Sequence, residues 1–239
     1  MAADPDQPAL ALARGRQWLP DPPLCTVEAA GQFVGRVGFA VLFPAERVTA
    51  PSLWEATAGP DVDRSETGWG PVEERVWAWK DELPRQGAAW YGKFLYRRAS
   101  LLAPAMLAAL YPGAGEPTDH AAVDLPADAH RIAEALLTGP LPSAALRELV
   151  GDRGRYDRAM TALQRHLLVT TAGVREYRTG WPAAVVDLTC RRFDVGGGPD
   201  HRYATARFVA TVIETTPAEL GRAFGWPVGV ARDRLAAGG

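Results

Sequence analysis

Six arginines fall between residues 151 and 180 of this 239-residue chain, against three acids. They are Arg153, Arg155, Arg158, Arg165, Arg175 and Arg178. Arg155, Arg158, Ala162 and Arg165 recur on one face of a helical repeat. The opposite face carries Tyr156, Met160, Leu163 and Leu167, a stripe suited to burial. A guanidinium is a planar fork of donors that fits phosphate oxygens or the edge of guanine. A second cationic group, Arg85, Lys93, Arg97 and Arg98, has no acid between residues 85 and 98. Nearby, Trp77, Trp79, Lys80, Trp90, Tyr91 and Lys93 interleave aromatic rings with the only two lysines of the chain. Rings beside cations can stack bases or hold an aromatic ligand. Solvated basic faces and an aromatic core account for the same residues equally simply.

Other chemistry is sparse. His120, His130, His166 and His201 are scattered without metal-ligand spacing, so no metal is expected. Ser100 and Ser143 read as helix caps, and Asp81 and Glu82 as helix-surface charges. Gly196-Gly197-Gly198 precedes Pro199 rather than a phosphate-binding helix, so no cofactor is implied. The two cysteines, Cys25 and Cys190, read as buried thiols in a reducing cytoplasm. No apolar run approaches the ~20 residues of a membrane span, and the first 24 residues lack the pattern of a secretory signal. The other 24 of the 26 basic residues are arginine, a bias that suggests a GC-rich bacterial genome. The net charge of −2 argues against a generic polyanion binder, but residues 1–66 carry −4 and the remainder +2.

The elements that must position these residues follow from capping and periodicity. Residues 1–24 read as a loose arm. Residues 25–111 read as a helical and β-rich unit. Thr26 caps a helix to Val37, Gly38 ends it, and Phe39–Phe43 forms a buried strand. Val72, Val76, Trp79 and Leu83 give a helix stopped by Pro84. Residues 89–96 read as a strand, and Ser100 caps a helix ending near Tyr111. Residues 112–127 read as a linker. Within 128–193 the order is helix, helix, tight turn, helix, then a hairpin over 169–178 around Gly173, the order of a winged helix-turn-helix. Residues 194–239 give three short helices, a truncated helix-turn-helix. The expected class is mainly α with short β hairpins (α+β), built from tandem winged-helix-like units.

Several stretches taken in order resemble a known family: "GFAVLFPA" at 38–45, "WKDELPRQGAAWYGKFLYRR" at 79–98, "RYDRAMTALQRHLLV" at 155–169, "DLTCRRF" at 187–193 and "TPAELGRAFGW" at 216–226. They are similar to the AlkZ-related proteins, small relatives of AlkZ/YcaQ-type winged-helix DNA glycosylases. The resemblance implies DNA as partner. In the full glycosylases it also implies a Gln-x-Gln or Gln-x-Asp pair that positions the attacking water. The counterpart here is Val41-Leu42-Phe43, and apolar side chains neither orient nor deprotonate water. Three readings stay open. The first is DNA binding without glycosylase activity by the family mechanism, through Arg153, Arg155, Arg158, Arg165, Arg175, Arg178, Lys93, Arg97 and Arg98. The second is a small aromatic ligand held by Trp77, Lys80, Trp90, Tyr91 and Lys93. The third is glycosylase chemistry from Glu46 or Glu55, which follow the apolar strand.

Overall fold

The hydroxyl of Thr26 accepts a hydrogen bond from the Ala29 amide and opens helix α1, Val27–Val37. Gly38, at φ 89°, closes it by donating its N–H to the Val34 carbonyl. The chain turns at once into strand β1, Phe39–Val41. In the computed structural model, residues 12–60, 62, 68–176 and 182–238 are described. Ser52 caps α2, Leu53–Ala58, and α3 follows over Pro71–Arg85. Strands β2, Trp90–Lys93, and β3, Ala99–Leu102, join β1 in an antiparallel sheet of order β1-β3-β2. Helix α4 spans Pro104–Leu110.

The next elements are α5 (Ala127–Leu136), β4 (Leu141–Pro142), α6 (Ser143–Val150) and α7 (Arg153–Arg165). Strands β5, Val169–Arg175, and β6, Ala183–Leu188, complete a second antiparallel sheet of order β4-β6-β5. Four helices finish the chain: α8 (Thr189–Arg192), α9 (His201–Thr211), α10 (Pro217–Phe224) and α11 (Val228–Gly238). With helix at about 53% and two small sheets, the architecture is α+β. A single cluster of buried apolar side chains runs from Leu24 to Ala231, with Trp54, Trp90, Phe33 and Phe208 among its fully enclosed members. Among the described residues no helix is long and apolar enough to cross a membrane.

Several local expectations change. Pro84 does not stop α3, which runs to Arg85. Near a helix end proline forfeits one N–H bond without breaking a continuing ladder. The strand from Ala89 ends at Lys93, because Leu95–Arg97 forms a 3₁₀ turn in which Tyr96 and Arg97 have φ of 51° and 58°. Ser100 caps nothing. It is buried in β3, where its Oγ accepts from Leu95 N and donates to the Gly92 carbonyl, holding that same turn. Ser143 is the first residue of α6 rather than its cap, the preceding Pro142 taking that position. The hairpin around Gly173 is a single strand, β5, with a bulge at Gly173, and its partner strand begins at Ala183. The stretch read as a linker is built around Asp119, whose carboxylate accepts from the amides of Ala114, Gly115 and Glu116 and from the Tyr111 hydroxyl. Cys25 is exposed just ahead of the α1 cap, and Cys190 is half-buried, so neither is a fully enclosed thiol.

Candidate nucleic-acid interface

Helix α7 starts where the Asp152 carboxylate accepts from the Arg155 amide at 2.9 Å. Met160 and Leu163 are buried beneath it and Tyr156 is half-buried, so the opposite face is turned outward. Leu167 lies beyond the helix at φ 59°, still buried, and directs the chain into β5. Side-chain hydrogen bonds tie this unit to the first sheet. Gln164 Oε1 accepts from the Lys93 amide at 3.1 Å, and Thr170 Oγ1 both accepts from Tyr91 N and donates to Tyr91 O. Trp90 Nε1 donates to Thr189 Oγ1 at 3.1 Å within the core. The 93–98 turn is therefore held against the C-terminal end of α7.

That junction gathers basic residues distant in sequence. A hollow of about 300 Å³ is lined by Arg97, Arg165, His166, His201 and Arg234, with Phe94, Phe224 and Trp226 among its apolar walls and no carboxylate. A second hollow, about 480 Å³, adjoins it through the shared residues Arg97, Gly225 and Trp226 and adds Arg47, Arg98 and Arg222. Its one acid, Glu46, stands 3.4 Å from Arg47. Glu219 fixes the geometry from below. Fully buried, it accepts from Thr49 Oγ1 at 2.6 Å and from the Tyr96 hydroxyl at 2.7 Å, and it pairs with Arg222. Burial and the neighbouring Arg165 hold His166 below its ordinary 6.5, and burial and Arg234 do the same to His201. Among the described residues, four of the five non-glycine positions with positive φ, Arg47, Tyr96, Arg97 and Leu167, line these two hollows. Backbone in that region persists only where its surroundings over-determine it.

The arginines expected to act together divide. Arg158 and Arg165 are exposed on α7 without an ion pair among the described residues, and Lys93, Arg97 and Arg98 are likewise exposed. Arg155 is engaged: its Nε and Nη2 donate to both oxygens of Asp128 at 2.7 and 2.5 Å, clamping α7 to α5. That fork lowers the Asp128 carboxyl below its ordinary 3.8. Arg153 is exposed 3.8 Å from Asp157. Arg175 is exposed near the end of β5, and Arg178 lies outside the described residues. No site is expected from the sequence at Arg47, Arg222, Trp226 or Arg234, and His201 reads only as a scattered histidine, because turns between their elements erase any common period.

The aromatic–cation group also separates. Lys80 is buried, pairs with Asp81 at 2.6 Å, and lies 4.4 Å from the Trp77 ring centroid and 5.6 Å from that of Tyr91. Asp81 is thus no surface charge, and burial raises its carboxyl despite Lys80. Trp77, Lys80 and Asp81 line an apolar hollow of about 650 Å³ that also includes Trp69 and Val174. Trp90 is a fully enclosed core residue and Lys93 belongs to the α7 junction, so neither lines it.

Val41 and Leu42 are fully buried, their amides donating to the Pro51 and Ala99 carbonyls. They are core residues and face no water. Glu46 and Glu55, by contrast, line one hollow of about 640 Å³ together with Glu73, Trp18 and Trp69. Glu55 accepts from Ser52 Oγ at 2.7 Å, and burial raises its carboxyl above the ordinary 4.5. Glu73 is occupied, accepting from Trp54 Nε1 at 2.6 Å and from the Gly70 amide at 2.9 Å. Among the described residues no group of three or more His, Cys, Asp or Glu could hold a metal ion.

No curated protein matches the chain, and no solved structure does. A family model described as AlkZ related matches residues 24–207, most of the chain, and the protein belongs to the AlkZ-related family.

Proposed function

We propose that the protein binds duplex DNA through the outward face of α7 and the adjoining 93–98 turn. The observation that carries this reading is the meeting of two cationic stretches at one junction, where Arg97 and Arg165 line the same carboxylate-free hollow. Phosphate contacts of this kind supply affinity with little regard to sequence. The helix–strand–helix–helix–strand–strand order of 127–188, with sheet order β4-β6-β5, supports reading it as a winged helix-turn-helix. In that reading α7 enters the major groove and Arg175, at the end of β5, contacts the flanking backbone. Arg153, Arg158 and Arg165 are the helix contacts; Lys93, Arg97 and Arg98 bind the flanking backbone; Arg155 is a structural clamp. The protein does this without base excision by the family mechanism, because apolar side chains, the buried Val41 and the half-buried Phe43, stand where the family carries the polar pair. Fluorescence anisotropy with a labelled duplex tests the reading. Saturable binding that weakens steeply with salt is expected; no binding at low salt refutes it.

One observation favours a second reading, a small aromatic ligand in the Trp77–Lys80–Asp81 hollow. Asp81 Oδ1 is buried there without a hydrogen-bond partner. Such an oxygen suits a donor group on an aromatic ring. Quenching of tryptophan emission by an aromatic amine, abolished by Asp81→Asn, would support it; equal quenching in both proteins would remove it.

A further inference from the structure

The hollow between the 94–97 turn, the end of α7 and the C-terminal helices is equipped for more than backbone phosphates. Its arginines, Arg97, Arg165 and Arg234, come from three separate segments, His166 and His201 stand beside them, and no acid lines it. Asp200 lies beside it in sequence but accepts from the Tyr203 amide as the α9 cap, and Asp124 influences His166 from outside. Two of its polar atoms, Arg234 Nη1 and His201 Nδ1, are buried with no hydrogen-bond partner. A buried orphan of this kind is destabilising unless something in the functional state satisfies it. The Arg234 guanidinium lies 3.8 Å from the Trp226 ring centroid, and the His201 ring meets the same indole edge-on at 5.3 Å. Phe94 and Phe224 extend the apolar wall, stacked at 6.2 Å.

We propose that this hollow binds one nucleoside monophosphate unit. Its phosphate meets Arg165, Arg234 and His201, and its base lies against the Trp226 and Phe94 wall. A volume of about 300 Å³ holds one such unit and little more. A cation cluster alone would suit any anion, and an aromatic wall alone any flat ring. Their union selects a ligand carrying both, the chemistry by which single nucleotides are held. The nucleotide is either free or the terminal or extruded residue of a DNA strand. The proposal rests on the DNA-binding reading in taking a strand as one of these sources.

The test is calorimetric titration of the full chain with deoxyadenosine monophosphate, deoxyadenosine and inorganic phosphate. It is paired with anisotropy on two duplexes, one blunt and unphosphorylated, one with a 5′-phosphorylated single-nucleotide overhang. The monophosphate should bind at least about tenfold more tightly than either fragment. Arg234→Met keeps an apolar stem on Trp226, and His201→Phe keeps a ring there. Each should weaken monophosphate binding by about tenfold or more while leaving blunt-duplex affinity unchanged. A gain for the overhang over the blunt duplex, lost in Arg234→Met, identifies a strand as the source; monophosphate binding without that gain identifies the free nucleotide. No saturable binding of the monophosphate up to about 10 mM, with no overhang gain, overturns the proposal. If the blunt duplex still binds in that case, the DNA-binding reading stands. Monophosphate binding with no duplex binding at low salt refutes the DNA-binding reading and leaves the hollow as a nucleotide site.

Discussion

Replacing Arg97, Arg158 and Arg165 together with alanine removes three exposed cations from the junction and α7 without touching the buried Met160–Leu163 stripe. None of the three forms an ion pair among the described residues, so each is available to a phosphate. Every phosphate neutralised on B-DNA contributes about 0.9 to the slope of log affinity against log salt. Three lost contacts should flatten that slope by about 2.7. Raising salt from about 50 to about 200 mM then weakens wild type by a further factor of about 40 relative to the variant, or about 3.5 per contact. Arg155→Ala is the informative control. Its guanidinium is already neutralised by Asp128, so the slope should hardly move, while melting temperature falls as the α5–α7 clamp is lost. The assay is anisotropy on one duplex at four or more salt concentrations, with circular dichroism as the folding check. A folded triple variant whose slope equals that of wild type, or a single Arg155→Ala variant that flattens the slope as much, refutes the assignment.

Three further outcomes follow from the same geometry. Wild-type protein should release no alkylated base from duplex DNA; release abolished by Glu55→Gln would move catalysis to the Glu46–Glu55 hollow. Glu219→Ala should lower stability by about 1.5–3 kcal/mol, since Thr49, Tyr96 and Arg222 all lose a buried partner, while Glu219→Gln, which keeps an acceptor, should cost less. Because Asp128 is lowered in the folded state, its contribution is full above the ordinary 3.8 and is lost as pH falls below it. The gap in melting temperature between wild type and Asp128→Asn should therefore be constant near neutrality and close in acid; a gap that persists there would show that the clamp is not ionic.

Local physics was legible in the sequence. Thr26 and Gly38 bound α1 where cap chemistry says they must, and the four-three-four spacing of Tyr156, Met160, Leu163 and Leu167 located α7 and its outward face. The ordered motifs also led to the AlkZ-related family. Where a rule failed, a tertiary partner outbid a local preference. Ser100 has the chemistry of a cap, but buried in β3 it holds the 95–97 turn instead. Only the tertiary structure decided which charges remain free. Arg155 and Arg158 are equivalent by periodicity and both exposed, yet Asp128, 27 positions upstream, pairs with the first and not with the second. It also brought Arg97, Arg165, His201 and Arg234 around one hollow. Periodicity reports which face of a single element is apolar; charge pairing and cavity lining depend on which other segment lies opposite, and that is set by packing of the whole chain.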